Sequence, residues 1–539
     1  MCGILLTNAL IKDLESVIRV LKKRGPDCTN HVKSHGFNLI HTLLSMTGKG
    51  LTKQPLVYEN GTIMVLFNGE IYNYKSFGDL QSDGEAIYLS YKKYGDNFVK
   101  NLYGEFALTL IDMNKNLLYF STDIFSTKPL WYCFENKQIG ICSYASCLRK
   151  LNLKNIKQVE ANQTYKVNLS DLKIIKKSTV YDFDLRQHKN NYNDVIKAFE
   201  NAIKMRTSDV KHKIFMGLSS GYDSGAISCA LNHLNISYTA YSIIGNENVN
   251  IINQRHNLIK NAKKIQLSRP AFLNAQKYLK ENCEEYLLRI DNGDKESYIF
   301  NQMKLEEEKR KPKPNKNTVD TLTINGRNIL KLLKYRLSGQ YLTDDNGSIG
   351  VSHICSLAKQ NNELIYLSGS GADEILSDYG FNGVKHYAHS TIGGKFPPDL
   401  KTVFPWKNFF SNTQRAYLMK EEYVTGAYGI EGRYPFLDKN FVQEFLWLIP
   451  ELKNKYYKAP IYHYLKMKNY PFDLNNKKGF GCGFNSSKEN FSCNDKQYKP
   501  NYVGSSSNPE LIVDDHRNKA IELYNRQKPV NFDSLLKSI

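Results

Sequence analysis

Hydrophobic and polar positions alternate in short runs through the first third of the chain. "TIMVLFNGEIYN" (62–73), "EFALTLIDMNKNLLYFSTD" (105–123) and "QIGICSY" (138–144) are rich in β-branched and aromatic residues and are broken by Gly, Asn and Asp-Met-Asn turns. Such runs predict strands. From about residue 190 the period lengthens. In "YNDVIKAFENAIKMRTS" (192–208), Val195, Ile196, Phe199 and Ile203 fall on one helical face. Apolar runs then alternate with helical patterns: "KIFMGL" (213–218) before "DSGAISCALNHL" (223–234), "SYTAYSII" (237–244) before a polar helical stretch, and "ELIYLSG" (363–369) before "ADEILSDYG" (372–380). This order predicts α+β followed by α/β: a strand-rich unit over residues 1–185, then a parallel sheet with helices on both faces over 190–485.

Two stretches break the pattern. "EEEKRKPKPNKN" (306–317) is charged and interrupted by proline, and is read as part of an exposed insertion spanning about 285–335. Residues 486–539 are polar and read as a loosely ordered tail.

At 539 residues the chain is long for one core, and 41% hydrophobic with 23% charged residues is the balance of a folded protein. The net charge of +20 points to acidic ligands. The excess is scattered lysine, without an arginine block or a basic-aromatic repeat, so no nucleic-acid partner is expected. Ten cysteines show neither a CxxC pair nor zinc spacing, and read as thiols in a reducing compartment. No apolar run approaches the roughly 18 residues that cross a bilayer. The start, "MCGILLTNALIKDLES", lacks a basic leader. The expected location is cytoplasmic, with no membrane partner.

Cys2 is the first chemical candidate. Removal of Met1 would place its thiol beside a free α-amine, which titrates near neutrality and can take the thiol proton. Alone, a cysteine at position 2 is more readily an accident or a lipidation site. The second candidate is "GLSSGYDSG" (217–225), a glycine-rich turn between a predicted strand and helix. Gly217-Leu218-Ser219-Ser220-Gly221 fits the G-x-S-x-G elbow of a serine hydrolase. Ser219-Ser220-Gly221-Tyr222-Asp223-Ser224 fits an altered S-G-G-x-D-S loop that cradles pyrophosphate. No HGGG-type segment precedes it, and G-x-x-x-x-G-K-[ST] is absent from the chain.

Further motifs decide between these readings. Arg24-Gly25-Pro26-Asp27, Gln54-Pro55, Asn68-Gly69-Glu70 and Ser82-Asp83-Gly84-Glu85 follow Cys2 in an order that resembles class II glutamine amidotransferase domains. In isolation Asn68-Gly69 would be a hairpin turn. Adding Ser368-Gly369-Ser370-Gly371-Ala372-Asp373-Glu374, "GIEGRYPFLD" (429–438) and Lys458 in "YYKAPIYHYL", the chain resembles the glutamine-hydrolysing asparagine synthetases over nearly its whole length.

That resemblance implies an N-terminal-nucleophile (Ntn) sandwich flanked by helices, followed by a parallel-sheet synthetase domain. It implies glutamine, aspartate and ATP as substrates, Mg²⁺ as cofactor, and is compatible with a homodimer. Cys2 would be the nucleophile, and Asn68 and Gly69 the oxyanion hole. Glu70 and Asp83 would meet glutamine's ammonium, with Leu43 and Leu44 lining the same site. Leu218, Ser219, Ser220, Gly221, Asp223, Ser224, Ile244, Ser368 and Gly369 would bind ATP. Ser370, Asp373 and Glu374 would form the adenylate-forming loop, Asp223 and Asp373 would hold Mg²⁺, and Lys458 would be catalytic.

Three departures stand out. Leu43 occupies the place of an arginine that clamps the α-carboxylate of glutamine; His41, Lys49 and Lys53 are the nearby replacements. Ser220 replaces a glycine of the phosphate loop. Ser370 replaces a glutamate used in forming the β-aspartyl adenylate, and the upstream "DDNGSIGVSHI" (344–354) holds no arginine. These leave open another carboxylate acceptor, or a non-catalytic relative.

Overall fold

The protein is described from a computed structural model, over residues 1–47, 50–245, 247–288, 290, 340–387 and 389–473. Nearly all of the expected insertion, the whole polar tail and Lys49 lie outside the described residues.

The first part is a sandwich of two six-stranded antiparallel sheets. In one, Gly3–Thr7 lies between Phe37–Leu43 and Gln138–Cys142; in the other, Ile63–Ile71 pairs with Gly104–Asp112. Both faces of these strands are buried. Ile4, Leu6, Met64 and Leu66 meet between the sheets, while Leu5 and Val65 turn outward. The helices Leu14–Lys22 and Ala145–Lys150 cover one sheet and Glu85–Tyr94 the other. Double burial explains why the strands read as near-continuous apolar runs. This is the Ntn-type architecture that the resemblance implied.

The last strand of the sandwich ends at Thr179 and the helix Asn193–Thr207 opens the second part. Its sheet has five parallel strands in the order Asn261–Ile265, Thr239–Ile243, Lys213–Gly217, Glu363–Leu367, Glu431–Arg433. The chain enters at the central strand, builds outward to one side, then crosses to the other. The order therefore reverses between Lys213–Gly217 and Glu363–Leu367. In open parallel sheets a crevice forms at that switch point, beyond the carboxyl ends of the strands. The loops 218–221 and 368–371 leave from those two ends. The second loop meets the start of the helix Tyr222–His233 that follows the first: a Cβ on Gly369 would stand 3.1 Å from Asp223 Cβ.

The two parts share a buried, charged seam. Arg206 donates to Glu105 at 2.7 Å and to Asp438 at 2.9 Å. Glu422, on the helix Asn412–Ala427, takes Arg24 Nη2 at 3.0 Å and Lys128 Nζ at 2.9 Å. All six side chains are at most 2% exposed. Removing one partner of such a buried pair costs about 3–5 kcal/mol, because the other charge stays behind unmatched. The seam therefore holds the two parts in one fixed register.

Candidate functional site

The strand Gly3–Thr7 pins Cys2 at its edge. Arg24, from the "RGPD" turn, donates Nε to the Cys2 carbonyl at 3.0 Å. Cys2 N–H donates to Asn68 Oδ1 at 2.8 Å, and its thiol faces the Leu44 carbonyl at 3.9 Å. Asn68-Gly69-Glu70 is not a hairpin turn: it lies inside the strand Ile63–Ile71, paired with Glu105–Ala107. Gly69 has φ of +127°, and a Cβ there would lie 1.9 Å from the Glu105 carbonyl, so only glycine fits. Asn68 is fully buried, and among the described residues its Nδ2 has no hydrogen-bond partner. An orphaned amide donor beside a buried thiol is unusual in a finished core. It is what a site for a transient oxyanion requires.

Met1 changes the picture of the nucleophile. Its ammonium lies 3.2 Å from Glu431 Oε2, with both groups at most 1% exposed. Arg24 Nη2 also reaches Met1 Sδ at 3.0 Å. In this chain the α-amine thus belongs to Met1 and points away into Glu431. Burial pushes the Cys2 thiol up to about 11, against the pull of that ammonium. While Met1 is present, Cys2 is a thiol without an amine base.

Glu70 and Asp83 are both buried, close enough for each charge to act on the other. Asp83 Oδ2 accepts the Ile71 N–H at 2.8 Å. Burial raises both carboxyls, Asp83 to about 7, and Glu431 adds to the effect. Arg433 Nη2 stands 3.5 Å from Glu70 Oε1 without a hydrogen bond. Burial works against the charge on Glu431, but Arg433, the N-terminal ammonium and Lys128 outweigh it and bring it down to about 2.

Leu43 is buried, with its carbonyl accepting the Asp27 N–H at 2.9 Å. Of the three residues named as replacements for the missing arginine, His41 and Lys53 are among the described residues. His41 is 1% exposed, and burial lowers it to about 3, so it carries no charge at neutral pH. Lys53 is exposed.

At the switch point, the strand Lys213–Gly217 runs into Leu218-Ser219-Ser220-Gly221 and the helix Tyr222–His233. Ser219 has no histidine partner: its Oγ lies 2.8 Å from Ser224 Oγ and accepts the Gly221 N–H at 3.1 Å. Ser220 N–H donates to Glu247 Oε2 at 2.6 Å, and the Ser220 hydroxyl donates to the same oxygen. That hydroxyl accepts the Asn248 N–H at 3.2 Å. The β-carbon at position 220 thus ties the loop to the start of the helix Val249–Asn257. Beneath the loop, Arg255 is fully buried and donates Nη1 to the Ser219 and Gly221 carbonyls at 2.5 and 2.9 Å. Gly225 leaves it room, since a Cβ there would lie 2.3 Å from Arg255 Nη2.

The hydrogen bonds also narrow the expected adenine contacts. Leu218 gives its N–H to the Tyr241 carbonyl, and its own carbonyl accepts Ser242 Oγ. Ile244 N–H goes to the Ile265 carbonyl.

Lys458 joins the two loops. Its Nζ lies 2.6 and 2.7 Å from the two Asp223 oxygens and 2.9 Å from Asp373 Oδ1. The residue has φ of +47° at the start of the helix Ala459–Met467, a left-handed conformation costly for any residue but glycine and tolerated where the surroundings fix it. Burial opposes its charge, but Asp223 and Asp373 raise its proton affinity. Glu374 points elsewhere: Tyr379 donates to its Oε1 at 2.5 Å, and burial raises it to about 7. Ser370 N–H donates to Ser368 Oγ at 3.0 Å.

One residue touches both centres. The Arg433 carbonyl accepts the Ser368 N–H at 3.0 Å, while its guanidinium faces Glu70. The motif "GIEGRYPFLD" made this stretch visible, but nothing in a linear reading assigned Glu431 and Arg433 to the Cys2 region. Glu247, just before the unremarkable polar helix Val249–Asn257, and Arg255 within it gave no signal at all.

Comparison with known proteins adds three relatives. Residues 1–183 match the family model of a glutamine amidotransferase domain. Over 490 residues, 84% of this chain and 72% of the other, the sequence is 26% identical to the glutamine-hydrolysing asparagine synthetase 3 of Arabidopsis thaliana. It is 24% identical over 478 residues to a probable glutamine-hydrolysing asparagine synthetase of Schizosaccharomyces pombe, covering 84% of this chain and 77% of that one. Against asparagine synthetase B of Escherichia coli the identity is 28% over 222 residues, 39% of this chain and 40% of that protein. Among the described residues, no helix is long and apolar enough to cross a membrane.

Proposed function

We propose that this chain, a relative of the glutamine-hydrolysing asparagine synthetases, hydrolyses glutamine at Cys2 and uses the ammonia to amidate aspartate at the expense of ATP. The products are asparagine, glutamate, AMP and pyrophosphate. The observation that carries this reading is Arg433, whose carbonyl and guanidinium face the two centres at once. A transfer of ammonia needs two such centres held in register.

In the glutaminase half, removal of Met1 puts the α-amine on Cys2, where it takes the thiol proton directly or through one water. The thiolate attacks the glutamine amide, and the tetrahedral oxyanion receives Asn68 Nδ2 and the Gly69 N–H. Glu70 and Asp83 hold the substrate ammonium. Collapse to the γ-glutamyl thioester releases ammonia, and water then frees glutamate.

In the synthetase half, the loops 218–224 and 368–371 hold ATP against the aspartate carboxylate. The helix Tyr222–His233 turns its N-terminus toward the phosphates. The residues fit Mg²⁺: Asp223 and Asp373 already converge within 2.9 Å of one cationic atom, and both offer hard oxygen donors. When bound, the ion would neutralise and orient the phosphates. Lys458 balances the charge that develops when the carboxylate displaces pyrophosphate. Ammonia then displaces AMP.

The test is release of pyrophosphate by purified protein with ATP and glutamine across a panel of carboxylic acids. Release that depends on aspartate, with asparagine formed, is the expected result. Release with a different acid alone moves the chain to another acceptor, and release with none overturns the proposal.

A further inference from the structure

Arg433 ends the edge strand Glu431–Arg433 of the parallel sheet, and its side chain is 1% exposed. Two of its three guanidinium nitrogens are committed. Nε donates to Glu431 Oε1 at 2.7 Å, and Nη1 donates to the Arg206 carbonyl at 2.6 Å. Nη2 differs. It is shut off from solvent and, among the described residues, makes no hydrogen bond. Glu70 Oε1 stands 3.5 Å away, so the charges are paired while both N–H groups of Nη2 stay open. A buried guanidinium nitrogen left open costs free energy unless a further acceptor meets it.

The open nitrogen borders a pocket of the opposite sign. Glu70 and Asp83 are both buried, and Asp83 gives one oxygen to the Ile71 N–H. Two buried carboxyls call for a cation, and the open guanidinium nitrogen beside one of them calls for an anion. A simple amine answers only the first demand, and a simple carboxylate only the second. An α-amino acid carries its ammonium and its carboxylate on the same carbon, which keeps them about as close as Nη2 and Glu70 Oε1 are. That head group is neutral as a whole, so it fills both halves without adding net charge to a buried site. The strand Ile63–Ile71 sets the reach of the rest of the ligand. Glu70 lies two residues beyond Asn68, roughly 7 Å along the strand. Asn68 Oδ1 in turn holds the Cys2 N–H at 2.8 Å. A head group at Glu70 therefore leaves a side chain of a few carbons to reach the thiol.

We infer that Arg433 Nη2 receives the α-carboxylate of the amino acid whose ammonium Glu70 and Asp83 hold, so that a residue of the second part selects the substrate of the first. The contact is a charge-assisted hydrogen bond that only the carboxylate can make. One nitrogen meets only part of a carboxylate, which accepts about four hydrogen bonds, so a cation added at position 43 still finds an open oxygen.

This inference rests on the proposed glutaminase reaction, and the experiment separates the two. The full chain is assayed for ammonia release from glutamine and from 4-aminobutanamide, which is glutamine without its α-carboxylate. Wild type should prefer glutamine by about 100-fold or more in kcat/KM, as sites built around a polar group of the substrate do. Arg433→Met should cut kcat/KM for glutamine about ten- to a hundredfold and leave that for 4-aminobutanamide within about threefold of wild type. Arg433→Lys keeps a charge beside Glu431 but loses the fork. It should show the same selective loss at smaller size, which tests the inference even where Arg433→Met does not fold. An equal loss for both substrates would make Arg433 a mere support for Glu70 and overturn the inference, as would no loss for glutamine. A wild-type chain that uses both substrates equally overturns this inference alone. One that releases ammonia from neither overturns the proposed glutaminase reaction, and this inference with it.

Discussion

Glu247 Oε2 accepts the Ser220 N–H at 2.6 Å, so a carboxylate sits on a backbone donor of the loop proposed to hold pyrophosphate. Like charges repel, and the N–H cannot serve two anions at once. Glu247→Ala should therefore tighten ATP binding about tenfold, as expected from removing one charge-assisted competitor worth about 1.5 kcal/mol. Titration calorimetry with ATP reads this directly. Unchanged or weaker binding would mean that Glu247 shapes the loop and does not compete for it.

In the proposed glutaminase reaction Cys2 works through its own α-amine, which is a peptide nitrogen while Met1 is attached. A chain made with Met1 blocked from removal should show no glutaminase activity while keeping ammonia-dependent synthesis. Cys2→Ala should match it. The check is glutamate release against asparagine formed from an ammonium salt, with mass spectrometry of the N-terminus. Full glutaminase activity in a chain that retains Met1 would falsify the role given to the amine.

Asp83, raised to about 7 by burial with Glu431 nearby, predicts a pH dependence for glutamine. In the free protein the carboxyl is largely protonated below that value. A substrate ammonium favours the ionised form, so binding expels a proton, and affinity should rise as pH climbs through 7. Asp83→Asn should bind about tenfold or more weakly at pH 8 and lose the slope. The measurement is the glutamine KM of the glutaminase half-reaction from pH 6 to 8.5.

Leu43 offers no cation, and buried His41 is uncharged at neutral pH. Leu43→Arg should lower the KM for glutamine about tenfold with little change in kcat, the pattern of added uniform binding. No change in KM would show that the α-carboxylate is met from another direction.

Lys458 is buried between Asp223 and Asp373, which are themselves partly exposed. Lys458→Ala should abolish aspartate-dependent pyrophosphate exchange and destabilise the fold by about 1–3 kcal/mol, less than for a fully buried pair because water reaches both carboxyls. Those carboxylates raise the proton affinity of Lys458, so its contribution is complete at neutral pH and fades only above the ordinary lysine range. The difference in melting temperature should hold from pH 6 to 8. Wild-type exchange in the variant would remove Lys458 from the mechanism.

The strands and helices were legible because their faces are simple. Double burial in the sandwich and in the parallel sheet produced the apolar runs, and the helix Asn193–Thr207 shows its stripe at 195, 196, 199 and 203. Asn68-Gly69 was ambiguous for a physical reason. The same dipeptide suits a tight turn and a strand position where a Cβ would strike Glu105, and only the pairing with Glu105–Ala107 distinguishes them. Ser220 was visible as an oddity, but its partner Glu247 was not, since the two are joined only by the return of the chain to the next helix.

By itself the sequence determined the order of elements, the segments that gather around Cys2 and the two loops at the switch point, because these are encoded locally by periodicity and short motifs. The tertiary structure alone decided the protonation states and the couplings. Burial silenced His41 and raised Cys2 and Asp83, and the fold brought Glu431 and Arg433 from a distant segment to the edge of the Cys2 region. Charge in a protein depends on what surrounds it, and the surroundings come from parts of the chain that no linear window contains.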